Sequence, residues 1–479
     1  MIGRKQEIQT LNALRHSNKA ELLAIIGRRR VGKTYLIREH YKKQIVFEFT
    51  GTQYANKKNQ LKKFAQKLQD YTNSPLQIAT PEDWAKAFTQ LKTYLKERKK
   101  TKYKPVIFFD EVPWIASKRS GFLNEFSYWW NDWASQQNII VVICGSAASW
   151  MIDKVVNHKG GLHNRITEYI HLHPFTLSEV KQYLQAIPLH LDDYQILQLY
   201  MSIGGIPHYL QHIRKGESAT QIINRLCFRK NGILRNEFNN LYAALYEGHQ
   251  RHVSIVKALS SKWKGLTRKE IIELTNLSNG GGLTKILTEL MNASFITEIN
   301  PFGKKKKETL YRLVDEYSLF YLTFIEGKRA GSKDIWLQTA QNNAYKIWRG
   351  YAFENICIKH VEAIKQALGI ASVHTEISGF YKAGTKTQKG MQIDLLIDRN
   401  DQCINLCEMK FYNDEITLSK EQADTLRRRR SSFQQLTKTK KTLFNTIVTT
   451  YGITNNPYSS SQVDSVVTMD ALFLLESFD

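Results

Sequence analysis

Eight consecutive residues, Gly27-Arg28-Arg29-Arg30-Val31-Gly32-Lys33-Thr34, fit the spacing G-x-x-x-x-G-K-[ST] in full. The two glycines let backbone N–H groups wrap phosphate oxygens, and a helix starting at this point adds partial positive charge. Lys33 is then expected on the β/γ-phosphates and the Thr34 hydroxyl on Mg²⁺, so ATP and Mg²⁺ are the expected cofactors and Gly27 to Tyr35 the nucleotide-binding stretch. Val106-Ile107-Phe108-Phe109-Asp110-Glu111 supplies the acids. Four apolar residues ending in two carboxylates put them at the C-terminal edge of a buried strand, where open α/β sheets bind ligands. Asp110 is expected to hold Mg²⁺ through water, and Glu111 to polarise the attacking water. Ser146, behind the apolar run Ile139 to Cys144, is expected at the γ-phosphate or the lytic water, with plain turn chemistry as the alternative.

A second constellation lies near the C-terminus. Gln392 to Asp398 and Gln402 to Lys410 alternate like paired strands and contain Asp394, Glu408 and Lys410. Side chains alternate along a strand, so Glu408 and Lys410 share a face. A loop of Arg399-Asn400-Asp401 pairs Asp394 with Leu406 and leaves Asp394 diagonal to Glu408, about 7–8 Å apart at their side-chain bases. Two carboxylates so placed can share a divalent ion, and the lysine can steer water or neutralise developing phosphate charge. A loop of even length would put Asp394 on the other face.

The elements around these residues divide the chain into regions. Leu22 to Ile26, Gln44 to Phe49, Val106 to Phe109 and Ile139 to Cys144 read as strands buried on both faces, separated by amphipathic stretches, which is the pattern of a parallel sheet with helical crossovers. A helix from Tyr35 to Tyr41 follows the phosphate loop. From His173 to about Gly248 the spacing is helical. Leu266 to Glu270 opens a helix capped by Thr267, with Ile271, Ile272 and Leu274 as its apolar face. After Ser278 to Gly282, a second helix carries Leu283, Ile286, Leu287 and Leu290, which gives helix-turn-helix spacing. A hairpin with Lys304-Lys305-Lys306-Lys307 at its tip follows, placed like a wing that sits on phosphates without reading sequence; a solvated turn is the alternative. Gly327 to Asp334 reads as a linker. The expected organisation is multidomain α/β: an ATPase core at 1–170, a helical lid at 171–248, a winged helix at 249–326 and an α/β domain at 335–479.

The ATPase motifs resemble a known family. GRRRVGKT (Gly27–Thr34), FFDEVPW (Phe108–Trp114), CGSAASWM (Cys144–Met151) and GGIPHYL (Gly204–Leu210) are similar to prokaryotic AAA-type ATPases near the STAND branch of P-loop NTPases, which often carry a C-terminal domain called DUF234. The resemblance implies that Gly3, Arg4 and Glu7 lie near the adenine. It also implies that Arg165, ahead of His173-Pro174-Phe175, is a γ-phosphate sensor or arginine finger. The tail resembles the PD-(D/E)XK nucleases, with Ile393 in place of the proline, and this makes Glu354 a third carboxylate. AAA-like relatives form rings, so a homo-oligomer is implied, although relatives near STAND act as monomers until triggered.

Composition sets the outer limits. Hydrophobic content of 42% with 11% aromatics is that of a folded chain. A net charge of +24 favours a polyanion, and DNA held through non-specific phosphate contacts is the expected partner. Arg427 to Arg430 with Lys438, Lys440 and Lys441 would suit a phosphate track, or a solvated helix face. Apolar runs fall far short of the ~20 residues that span a bilayer, so no membrane association is expected. No apolar segment follows Met1 and the five cysteines lack zinc spacing, which points to reduced thiols in the cytoplasm. No repeat is visible. The leading expectation is an ATPase coupled to DNA binding and Mg²⁺-dependent cleavage. Its alternatives are a STAND-like nucleotide switch with a catalytically silent tail, and a transcriptional regulator acting through residues 250–320.

Overall fold

A computed structural model describes residues 2–72, 77–99, 102–157, 161–187, 189–303, 308–328, 335–340, 342–382, 384 and 390–474. The chain forms two compact units, Met1–Pro174 and Phe175–Asp479.

The first unit is built on a five-stranded sheet. Its strands are β1 (Glu21–Ile26), β2 (Ile45–Thr50), β3 (Val106–Asp110), β4 (Ile140–Gly145) and β5 (Glu168–His171), in the order β2-β3-β4-β1-β5 and all parallel. Every residue of β1, β3 and β4 is buried, as continuous apolar runs require when helices cover both faces. One face is packed by an aromatic cluster of Phe47, Trp84, Phe88, Phe109, Phe122 and Trp129. Strand β4 lies between β1 and β3, so the phosphate loop and the paired acids leave the same sheet edge from strands that are not neighbours.

The second unit opens with helices, among them Leu177–Ala186, Asp193–Ile203 and Glu237–Leu245. It continues through a helix Gln250–Ser260 and β6 (Leu266–Thr267) into the helices Arg268–Thr275 and Gly281–Asn292. Strands β7 (Ile296–Ile299) and β8 (Leu310–Leu313) complete an antiparallel sheet of order β6-β8-β7. Thr267 caps its helix in a reciprocal box with Glu270, as the sequence signals. Leu283, Ile286, Leu287 and Leu290 are all buried. Leu274 departs from expectation: it is 56% exposed, because this short helix docks through Ile271 alone. Lys304 to Lys307 lie outside the described residues, as does most of the expected linker; beyond it Trp336 is fully buried, stacked on Phe228 with 5.1 Å between ring centroids. The chain on either side of that segment therefore shares one core.

The C-terminal part is a mixed sheet of β9 (Thr375–Lys382), β10 (Met391–Arg399), β11 (Cys403–Lys410), β12 (Thr442–Thr449) and β13 (Ser465–Thr468), in the order β13-β12-β11-β10-β9. The three strands β9 to β11 run antiparallel, and β11 to β13 parallel. The helix Asn343–Lys359 precedes it in sequence, and the helix Lys420–Thr437 connects β11 to β12.

The β10–β11 register corrects the sequence reading. The loop is Asn400-Asp401-Gln402, with Gln402 at φ 64°, so Asp398 pairs with Ile404 and Leu395 with Cys407. A left-handed residue closing the turn is what a loop of this length favours. The pairing is shifted by two residues, an even step, so the shared face survives; continued one step past its last pair, Leu395 with Cys407, this register would bring Asp394 opposite Glu408 rather than diagonal to it.

Candidate functional site

The loop after β1 needs special backbone. Gly27 sits at φ +146°, and a Cβ there would stand 2.3 Å from the Leu172 carbonyl oxygen. Gly32, at φ +96°, has open space around it, so conformation rather than crowding requires glycine. Arg30 also adopts a left-handed conformation. Arg28 and Val31 are buried, Arg29 and Arg30 are half-buried, and Tyr35 is 63% exposed. Lys33, at the first turn of the helix Lys33–His40, donates to the carbonyls of Gly27 (2.8 Å) and Arg28 (3.0 Å), which holds its ammonium over the loop. Arg4 reaches the loop from the N-terminal segment, donating to the Val31 carbonyl at 3.1 Å and lying 3.6 Å from Glu7; Gly3 precedes it at φ 65°.

The paired acids meet this loop. Asp110 ends β3 and accepts from the Thr34 hydroxyl at 2.9 Å. Glu111 follows in a left-handed conformation that turns its carboxylate away from Asp110 toward β4. There Ser146 donates to Glu111 Oε2 from its backbone N–H (3.1 Å) and its hydroxyl (2.8 Å). Ser146 thus holds the Glu111 carboxylate by two hydrogen bonds. Burial raises the Glu111 pKa, while Lys33 and the Ser146 hydrogen bonds pull it back. Arg165 is exposed in the turn before β5. Thr34 and Asp110 offer adjacent hard oxygens of the kind that bind Mg²⁺.

Residues 1–213 match the family described as an ATPase domain predominantly from Archaea. The protein is an ATPase. Over 414 residues it is 23% identical to an uncharacterized protein of Methanocaldococcus jannaschii, covering 86% of this chain and 87% of that one. Among solved structures it is similar to a Walker-type ATPase of Pyrococcus abyssi, at 18% identity, 67% of this chain, 96% of that chain and a TM-score of 0.49. The ORC2 protein of Aeropyrum pernix is matched at 15% identity, 70% of this chain, 94% of that chain and a TM-score of 0.39.

The second constellation is assembled in the C-terminal sheet and its neighbours. Lys410 Nζ lies 2.8 Å from Glu408 Oε1, and Arg429 of the helix Lys420–Thr437 pairs with Glu408 Oε2. Glu408 is largely buried, which alone would raise its pKa, yet Lys410 and Arg429 together hold it below the usual range. Asp394 accepts from the Gln392 amide, at a bulge where the β9–β10 pairing shifts between Ile393 and Leu396. Bulges beside sites commonly re-aim a side chain. Glu354, on the helix Asn343–Lys359, is pushed up to about 8 by burial and by Asp394, against the pull of Arg312. A cleft of about 200 Å³ adjoins Glu408, Lys410 and Arg429 and is walled by Ile416, Leu418 and Leu426.

Two of these residues escaped the sequence reading. Arg312 is buried on β8, and its only signal is a lone arginine in an apolar strand. Arg429 lies within the run Arg427 to Arg430, which reads from sequence as a phosphate track or a solvated helix face. The structure separates them: Arg427 pairs with Asp424, Arg430 lies 3.4 Å from Asp464, and Arg429 alone reaches the carboxylates. Among the described residues no group of three or more His, Cys, Asp or Glu is placed to hold a metal ion; the acids of this region are Glu354, Asp394 and Glu408, the last two both raising the Glu354 pKa through their charge. Hard carboxylate oxygens fit a divalent cation of the Mg²⁺ class. No described helix is long and apolar enough to cross a membrane. Four cysteines are buried, and all five are free thiols.

Proposed function

We propose that ATP hydrolysis controls DNA engagement and Mg²⁺-dependent DNA cleavage by the second unit. Lys33 and the loop N–H groups would bind the phosphates, Thr34 and Asp110 would hold Mg²⁺, and Glu111, hydrogen-bonded by Ser146, would accept a proton from the attacking water. When bound, Mg²⁺ neutralises charge developing on the phosphoryl oxygens. In the second unit we read a winged helix over residues 249–326 and a PD-(D/E)XK nuclease-like domain over 335–479. Asp394 and Glu408 would hold the cation for cleavage, and Lys410 would orient water or offset charge on the scissile phosphate.

The observation that supports this reading is the β10–β11 register, whose last pair, Leu395 with Cys407, adjoins Asp394 and Glu408, together with Lys410 at 2.8 Å from Glu408. The net charge of +24 supports a nucleic-acid partner. Anisotropy titration of duplex and single-stranded DNA at rising salt tests it. Affinity should fall linearly on a log–log plot as counterions are released; absence of binding at low salt would sink the reading.

One observation favours a second reading, a nucleotide switch whose tail binds without cutting. Both Glu408 oxygens are taken by basic side chains, and Glu354 faces Arg312. That reading expects slow turnover, nucleotide retained through purification and no metal-dependent cleavage.

A further inference from the structure

Glu354 is placed by contacts from outside the C-terminal sheet. One face of the helix Asn343–Lys359 carries Tyr351, Glu354 and Asn355, at i, i+3 and i+4. All three meet the helix-turn-helix module. Trp263 packs edge-on against Tyr351 with 4.4 Å between ring centroids. Arg312 Nη2, on β8, lies 3.6 Å from Glu354 Oε2. The Leu313 carbonyl accepts from Asn355 Nδ2 at 3.4 Å.

The other acid is reached from the same hairpin. Past β7, Pro301 bridges Gly379 of β9, the Phe302 N–H donates to the Gly379 carbonyl at 2.7 Å, and the Phe302 ring packs on Phe433 at 5.3 Å. Gly379 lies against the β10 bulge: a Cβ added there would stand 3.5 Å from the Asp394 carbonyl oxygen and 3.7 Å from Ile299 Cγ2. The hairpin therefore abuts both the bulge that carries Asp394 and the helix that carries Glu354.

Arg312 is 2% exposed, and its Nε has no hydrogen-bond partner among the described residues. A buried guanidinium carries a large desolvation cost, and an apolar residue matching Leu310 and Leu313 would pack a strand more cheaply. Its position is explained if the charge serves the acids beside it. We propose that Arg312 is a positioning residue of the carboxylate centre: from the helix-turn-helix module it fixes the Glu354 carboxylate beside Asp394 and Glu408, and the module is a structural part of that centre. This rests on the nuclease-like reading of the second unit.

The test uses the full chain with Mn²⁺ alone, titrated by electron paramagnetic resonance, alongside plasmid cleavage and thermal melting. With Glu354 as a third ligand beside Asp394 and Glu408, Arg312→Met should weaken Mn²⁺ binding about 10–100-fold, the range for removing a group that orients a ligand. It should lower kcat for cleavage with the DNA KM unchanged, and Arg312→Lys should restore part of both. Leu313→Ala removes a buried apolar side chain next door and controls for lost stability. At a matched fall in melting temperature it should leave Mn²⁺ affinity within about twofold, well inside that 10–100-fold range. Equal losses in Arg312→Met and Leu313→Ala, or no Mn²⁺ binding by the wild type, would overturn the proposal. A wild type that binds Mn²⁺, loses it in Arg312→Met and cuts no DNA would retire the cleavage reading and leave the positioning role standing.

Discussion

The phosphate loop and the C-terminal carboxylate centre use the same residue types to opposite effect. In the first unit Lys33 rests on neutral carbonyls, and Glu111 is held by a serine. Lys33 acts on Glu111 through its charge, while its ammonium is held by the loop's own backbone. In the second unit Glu408 is paired with Lys410 and Arg429, and Glu354 faces Arg312. A site whose substrate brings negative charge can keep its cation on weak local acceptors. A cluster of carboxylates is neutralised by basic side chains of its own, since like charges so close together cannot all stay ionised.

The sharpest way to break this contrast is at the loop. Lys33→Ala should reduce phosphate release to background, and Glu111→Gln should cost roughly 10²–10⁴-fold in turnover, the usual contribution of a general base. Nucleotide binding, followed with a fluorescent analogue, should survive the second change. Activity requires ionised Glu111, and burial raises its pKa, so the acid limb of the rate profile should lie above the ordinary carboxylate range. A limb at or below that range would show that Glu111 is not the base.

The scaffold of the second unit should have its own pH dependence. His360 is buried, accepts from the Leu177 N–H at 3.1 Å and is lowered from 6.5 to about 4, chiefly by burial. The neutral form is favoured on folding. Its stabilisation is therefore present above the unfolded value and is lost as pH falls from 6.5 towards 4, by roughly 3 kcal/mol. Urea unfolding across that window should show the loss, and His360→Gln should flatten it. A smaller effect is expected at the helix Arg268–Thr275, where Glu270→Ala removes half of the capping box and should cost about 1 kcal/mol. A change much larger than that would mean Glu270 does more than cap.

The two sites also differed in how far they could be read from sequence. Gly27 to Thr34 is contiguous, and the buried runs on either side admit few alternatives, so the loop, Asp110 and Glu111 are found where expected. Asp394 and Glu408 were legible as a face but not as a register. One left-handed residue, Gln402, moved the loop by a position and the pairing by two. Arg312 was not legible at all, because its contact with Glu354 joins a hairpin to a helix across an intervening segment that shows no pattern linking them. The hydrogen bonds from Ser146 to Glu111 were not legible, since the left-handed turn at Glu111 carries no signal in composition. Leu274 shows the same limit: periodicity names an apolar face, and docking decides how much of it is covered.

The central claim is tested most directly by incubating supercoiled, branched and single-stranded DNA with Mg²⁺ or Mn²⁺, with and without ATP, for wild type, Asp394→Ala and Lys33→Ala. The expected result is cutting by the wild type, none by Asp394→Ala at unchanged ATP turnover, and an altered response to ATP in Lys33→Ala. Normal ATP turnover with no cutting of any substrate, or cutting that survives Asp394→Ala, would contradict it.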